Sequence, residues 1–309
     1  MNENNDRKLK IVLAIDGSEN SEAAIRMLQD LPIPAGSLLA LVSVVVPRDA
    51  SSYSELEDLL ILTVRRFHGK GLLITSDLLV GFPTTVLTEF IHEQNPDFVV
   101  LGVGETHGSL SLLVGSLAQN LIQQVDCPLL IARAPYTGLY RILLATDESE
   151  SSQRAAEWLG SFPLPPEIEV RLVHVLKPAL DGSFFSRILS TVKEEIQSAS
   201  ALEATENQKH DLWEKDGMDL LARASRQLQT KNKGGENSGT VLVKVLARGD
   251  PARRVVSYAE MHGMDMIVAG TRGQFELGYL LKGDVSRKIL HYADCSIMFV
   301  KSLCPPKDE

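Results

Sequence analysis

Lys10-Ile-Val-Leu-Ala-Ile-Asp16 returns 131 residues later as Arg141-Ile-Leu-Leu-Ala-Thr-Asp147. Each copy continues into a helical pattern, Ala23, Ala24, Ile25 and Leu28 in the first, Ala155, Ala156, Trp158 and Leu159 in the second. Leu41-Val-Ser-Val-Val-Val-Pro47 returns as Leu172-Val-His-Val-Leu-Lys-Pro178 at the same shift. Later landmarks pair at a shift of 168: Gly81 with Gly249, Gly102 with Gly270, Gly115 with Gly283, and Cys127 with Cys295. Self-similarity over this many landmarks makes the chain a tandem duplication. The change of shift localises an insertion in the second copy between Pro178 and Gly249.

Each copy reads β-α-β-α-β-α-β-α-β. Strands are expected near 9–15, 37–46, 72–80, 97–103 and 128–133, then near 140–146, 168–176, 240–247, 265–269 and 296–301. They are continuous apolar runs, as parallel strands covered by helices on both faces require. The expected fold class is therefore α/β, two tandem doubly wound parallel five-stranded sheets of Rossmann-like type, with domains over 8–134 and 140–302. Ligands of such sheets bind outside the carboxyl ends of the strands, at the switch point. The join around Ala134–Gly138 is short, which favours packed halves.

The insertion, about 179–238, carries two apolar sets at helical spacing. Phe184, Phe185, Ile188, Leu189, Val192 and Ile196 form the first, and Leu212, Trp213, Leu220, Leu221 and Leu228 the second. Two readings stand: a lengthened second helix or hairpin packed on its own domain, or a surface for a protein partner or a second copy.

Charge and composition exclude several classes. With 40 acidic against 31 basic residues the net charge is -9, and no basic face is evident, so nucleic acid is not an expected partner. No apolar run reaches the ~18–20 residues of a bilayer span. The first ten residues lack the apolar core of a secretory signal, so no membrane partner and a cytoplasmic location are expected. Three cysteines without a CxxC spacing argue against a disulfide framework or a zinc site, and Cys127 and Cys295 read as buried structural thiols. Gly102-Val-Gly-Glu-Thr-His107 is a poor dinucleotide fingerprint, lacking the third glycine and following strand four. GxxxxGK[ST], HExxH and GxSxG are absent, and no nucleophile–base set assembles, so the chain is not expected to be an enzyme beyond slow hydrolysis of bound ATP.

The chemistry concentrates after strand four. Copy two reads Gly270-Thr-Arg272-Gly273, nine residues, then Gly283-Asp284-Val285-Ser286 and an apolar helix. Glycines admit phosphate close to backbone N–H groups, and a helix opening at Gly283 aims its free N–H groups and positive dipole end there. Asp16 and Asp147 end the first strands at the switch points, as ligand contacts or as caps of the next helix. His174, beside Val175, reads as a satisfied core side chain.

In this spacing the chain resembles the universal stress protein family, nearly throughout and twice over. The resemblance implies a stress-response protein whose Asp and Val line an adenosine pocket and whose glycine segment holds ribose and phosphates. It implies Asp147, Val175, Gly270, Gly273, Gly283 and Val285 in copy two, with Arg272, Asp284 and Ser286 beside them. In copy one it implies Asp16, Val44, Gly102, Gly115, Ser116 and Leu117. It further implies that the fifth strands of the two copies meet, as in a homodimer made covalent.

Both copies depart from the family pattern. Asp284 stands where Ser or Thr is expected, and a like charge ~4 Å from a phosphate costs about 4 kcal/mol at an effective dielectric of 20. Arg272 and Lys282 offset it in part, or a Mg2+ bridges it. In copy one Glu105 replaces the second glycine, with only His107 as a nearby cation. Two functions therefore stand open. One is binding of ATP or another adenine nucleotide in at least one copy, copy two being favoured. The other is a nucleotide-free interaction module with degenerate phosphate loops.

Overall fold

The computed structural model describes residues 7–47, 52–102, 113–176, 214–229, 241–271 and 284–301. In the first half β1 (Lys10–Ile15), β2 (Leu38–Val45), β3 (Leu73–Val80), β4 (Phe98–Gly102) and β5 (Leu129–Ile131) alternate with four helices. These are α1 (Glu19–Asp30), α2 (Ser52–Arg66), α3 (Pro83–Gln94) and α4 (Leu113–Gln124). The second half repeats the order with β6 (Arg141–Thr146), α5 (Glu150–Ser161), β7 (Glu169–Leu176), α6 (214–229) and β8 (Val241–Arg248). It ends with α7 (Pro251–Met261), β9 (Met266–Thr271), α8 (Asp284–Tyr292) and β10 (Ser296–Lys301).

Every residue of β4 and β10 is buried, which is why apolar residues fill β4 and the middle of β10, whereas β3 and β8 are more exposed and lie at the sheet edges. The order is β3-β2-β1-β4-β5-β10-β9-β6-β7-β8. Pairing is parallel within each half, and β5 meets β10 antiparallel, Leu130 opposite Met298. The two expected five-stranded sheets are thus one continuous ten-stranded sheet. The chain reverses its winding between β1 and β4 and again between β6 and β9, so each half has its own switch point.

Helix starts follow side-chain chemistry. Ser18 and Ser149 cap α1 and α5 by accepting from Ser21 N (3.3 Å) and Ser152 N (3.2 Å). Asp250 caps α7, whose first residue is proline, by accepting from Arg253 N (2.9 Å).

α6 precedes β8 as α2 precedes β3, and buries Leu220, Leu221, Ala224 and Leu228. The second apolar set of the insertion therefore belongs to the helical layer of its own domain. The first set, with Leu212 and Trp213, lies outside the described residues.

Each face of the sheet carries one apolar layer drawn from both halves. The α1/α2/α5/α6 layer joins Ile11, Leu13 and Phe98 to Ile142, Met266 and Met298. The α3/α4/α7/α8 layer joins Val12, Val99 and Leu121 to Leu143, Ile267 and Phe299. Phe98 of β4 meets the rings of Trp158 (6.0 Å) and Phe162 (5.4 Å) from α5, edge to face. Two cations, 168 residues apart and so counterparts in the repeat, also cross the seam. Arg133 donates to Leu290 O (2.5 Å) near the end of α8, and Lys301 donates to Gln123 O (2.8 Å) near the end of α4. A cation at a helix C-terminus meets the negative end of the dipole and its free carbonyls.

Candidate functional site

The β6/β9 switch point opens between the loop after β6 and the end of β9. Asp147 follows β6 directly and is exposed. Its Oδ1 accepts from Ser149 N (3.0 Å) and faces Ser149 Oγ, and its own N–H goes to Ser152 Oγ (2.9 Å). The carboxylate thus braces the turn into α5 while standing at the crevice mouth. Val175 near the end of β7 is 9% exposed and packs in the second core layer.

Gly270 has a reason the spacing alone does not reveal. A Cβ there would lie 2.4–2.6 Å from the backbone of Ser151 and Ser152, so α5 sits on the strand where only glycine allows it. Val285 and Ser286, in the first turn of α8, are half-buried, and Ser286 Oγ donates to Gly270 O at 3.5 Å. This separation is longer than an ordinary O–H···O bond, and it shows the opening of α8 lying beside the end of β9. Arg272, Gly273 and Gly283 lie outside the described residues, as does the side chain of Asp284.

Between Gly270 and that opening stands a residue the sequence reading passed over. Thr271, the last residue of β9, is 4% exposed, and its Oγ1 has no hydrogen-bond partner among the described residues. Only its place directly after the first glycine of the pattern could have drawn attention to it.

The first half has the same plan with different chemistry. Asp16 Oδ1 accepts from Ser18 N (3.0 Å). Ser21 Oγ accepts from Asp16 N (2.8 Å) and Gly17 N (3.1 Å), and lies against Asp16 Oδ1 and the Gly102 carbonyl, to one of which its proton goes. A Cβ at Gly102 would sit 2.5 Å from Ala24 Cβ and 2.8 Å from Ser21 Cα, the α1 counterpart of the close approach at Gly270. Val44 is half-buried against the second core layer, and Leu117 is 8% exposed within it. α4 begins at Leu113, so Gly115 and Ser116 fall inside its first turn instead of opening it. Glu105 and His107 lie outside the described residues.

His174 is 5% exposed, and its Nδ1 donates to Thr146 O (2.9 Å), as Ser43 Oγ donates to Ile15 O (2.8 Å) in the other half. It is a satisfied core group. Cys127 and Cys295, expected to be buried, are half-buried thiols outside any disulfide, and burial pushes the Cys295 thiol up to about 11. Among the described residues no group of three or more His, Cys, Asp or Glu could hold a metal ion.

Comparison with known proteins follows the same division. The model of the universal stress protein family matches residues 9–133 and again 139–301. A universal stress protein of Methanocaldococcus jannaschii is 25% identical over 163 residues, spanning 52% of this chain and 94% of that protein. One of Methanothermobacter thermautotrophicus is 37% identical over 88 residues, spanning 28% of this chain and 60% of the relative. The crystal structure of a universal stress protein from Archaeoglobus fulgidus superposes with a TM-score of 0.60 over 97% of this chain and 99% of that one. At 16% identity this likeness concerns the fold.

Proposed function

The chain belongs to the universal stress protein family, as a tandem member with two of its domains, and from that premise we propose that its second half binds an adenine nucleotide, ATP, at the β6/β9 switch point. The observation that carries this reading is the convergence of Asp147, Val175 and the first turn of α8 at the carboxyl ends of adjacent strands, with Ser286 Oγ 3.5 Å from Gly270 O. A helix N-terminus beside a strand end is an anion site by its free N–H groups and dipole. The Thr271 hydroxyl, without a hydrogen-bond partner among the described residues, fits such a ligand, since a buried polar group without a partner costs free energy until something supplies one. Gly273, Gly283, Arg272 and Asp284 complete the segment by sequence; Arg272 and Lys282 would offset the charge of Asp284 beside a phosphate, or Asp284 would help hold a Mg2+ that neutralises it. In the first half the candidates Asp16, Val44, Gly102, Gly115, Ser116 and Leu117 have Glu105 among them, which disfavours phosphate.

The protein so read is a nucleotide-binding stress-response protein of the cytoplasm with no strong catalytic activity. No helix among the described residues is long and apolar enough to cross a membrane. The alternative, an interaction module working through the insertion, loses the Leu220, Leu221 and Leu228 stripe, which is buried in its own domain.

Calorimetric titration of the nucleotide-stripped protein with ATP and AMP, with and without Mg2+, tests the proposal. Saturable binding that disappears in Gly273→Leu and persists in Glu105→Ala is the expected result. Gly102 is unsuitable as a control because a side chain there strikes α1. Equal binding by Gly273→Leu and the parent would remove the site from the second half.

A further inference from the structure

We propose that the cavity walled by the linker between the two halves binds a small organic cation, a guanidinium on an aliphatic stem, with Asp265 as its anionic partner. The cavity holds about 280 Å3 and is lined by linker residues 135–138, the ends of α7 and α8, and Asp265 at the amino end of β9. β9 is six residues long, so this place lies roughly 20 Å from the carboxyl end of that strand at about 3.3 Å per residue. The proposal is therefore independent of the nucleotide reading.

The repeat supplies an internal comparison. In the first half Asp97 accepts from Lys10 N with Oδ2 (2.7 Å) and from Arg7 Nη2 with Oδ1 (2.9 Å). Its counterpart Asp265 accepts from Arg141 N (2.7 Å) and Tyr140 N (2.8 Å), both with Oδ2, which leaves Oδ1 without a partner among the described residues. The counterpart of Arg7, 131 residues on, is Gly138. Gly138 lines the cavity, and it admits no side chain, because its φ is +127° and a Cβ would sit 2.4 Å from the ring of Tyr140. Arg141 turns its guanidinium to His262 O (2.8 Å) instead. The first half fills the place opposite its aspartate with its own guanidinium; the second half has a cavity there.

The walls select the same ligand. Glu260, Asp265 and Asp294 set three carboxylates against one guanidinium, that of Arg133, whose Nη2 goes to Leu290 O (2.5 Å). Asp126, the counterpart of Asp294, has Lys301 Nζ at 3.7 Å, whereas Asp294 and Glu260 make no ion pair among the described residues. α7 and α8, of eleven and nine residues, both end at the cavity, and the carboxyl end of a helix carries partial negative charge. Val256, Ala259, Met264 and Ala293 give an apolar wall for methylenes. The rings of Tyr136, half-buried, and Tyr292, 63% exposed, line the same space, and a planar guanidinium stacks on aromatic faces.

The test titrates the full chain calorimetrically with butylguanidine and with butylurea, a neutral molecule of the same shape. Saturable binding of butylguanidine, at least about tenfold tighter than butylurea, is expected. Asp265→Asn, which keeps an oxygen for the two backbone N–H groups, should weaken it about tenfold. Glu260→Gln combined with Asp294→Asn should weaken it about threefold, as exposed charges do, without lowering the melting temperature. That variant keeps the charge test readable if Asp265→Asn melts early. Cys295 also lines the cavity, so bound butylguanidine should slow its alkylation while Cys127, its counterpart in the first half, reacts as before. No saturable binding, or equal affinity for butylurea, overturns the cation site. Unchanged affinity in both variants overturns the role of the carboxylates. Binding that leaves Cys295 alkylation unchanged puts the ligand elsewhere and overturns the cavity as its site.

Discussion

A single methyl group at Gly102 or Gly270 would meet atoms 2.4–2.5 Å away, and at Gly270 those atoms are backbone, which cannot swing aside. Overpacking of this kind typically costs about 1–3 kcal/mol. Gly102→Ala and Gly270→Ala should each lower the urea midpoint accordingly, with Gly270→Ala the worse; an unchanged midpoint for Gly270→Ala would show that α5 does not sit as described. The sequence spacing pointed to both glycines, but for phosphate approach. Their packing partners lie roughly 80 residues upstream of Gly102 and roughly 120 upstream of Gly270, so no local pattern could reveal this second reason. Cys295 illustrates the same gap. Its burial was readable from an apolar helix running into an apolar strand, and its consequence is a thiol raised from about 9 to about 11. Because the folded value is the higher one, the unfolded chain loses its proton first as pH rises. The stability this group contributes is complete below pH ~9 and is lost as pH climbs through about 11. Cys295→Ala should flatten that part of the stability profile relative to the parent, by at most ~1.4 kcal/mol per pH unit. Parallel profiles for the two proteins from pH 8 to 11 would exclude the effect.

All ten strands fall within about two residues of their expected places; for the inner strands this is because burial on both faces writes itself directly into composition. Helix starts were less legible. The caps of α1 and α5 are Ser18 and Ser149 instead of Asp16 and Asp147, whose carboxylates accept from the N–H groups of those serines, and α4 opens at Leu113, ahead of the glycine that the repeat suggests. The helical spacing in α6 was clear, but not that its apolar side closes its own domain, since a stripe looks the same whether it packs at home or on a partner. α7 offers a test of capping as chemistry. The Arg253 N–H bonded to Asp250 holds the carboxyl below its ordinary value, with Lys288 of α8 at 3.6 Å as a smaller contribution. A lowered carboxylate contributes stability above its unfolded pKa near 3.8 and loses it as pH falls through the folded value. Asp250→Ala should cost about 1 kcal/mol at pH 7. Asp250→Asn, which keeps the cap and loses the charge, should cost less and should converge on the parent in urea titrations repeated near pH 3. A gap between Asn and parent that persists at low pH would mean that the charge is not what matters there.

Duplication was plain in the residues; how the copies join was not, and only the family resemblance implied that the fifth strands meet. β5 and β10 carry no mark of antiparallel pairing, and Arg133 and Lys301 become a reciprocal pair only once each is seen on the other half's helix. The consequence is cooperative. Both apolar layers run through the seam, so neither half can unfold without exposing the other's core. Phe98 is the sharpest probe of this, because it belongs to the first half, is 1% exposed, and packs on Trp158 and Phe162 of the second. Removing a buried Phe side chain costs about 3–5 kcal/mol. Phe98→Ala, in a Trp213→Phe background that leaves Trp158 as the reporter, should shift Trp158 emission and lower the midpoint of the whole molecule. Far-UV circular dichroism and Trp158 fluorescence should still trace one coincident transition. Two separated transitions in the Trp213→Phe parent, or a Phe98→Ala loss confined to one of them, would mean that the halves fold as independent units despite the shared sheet.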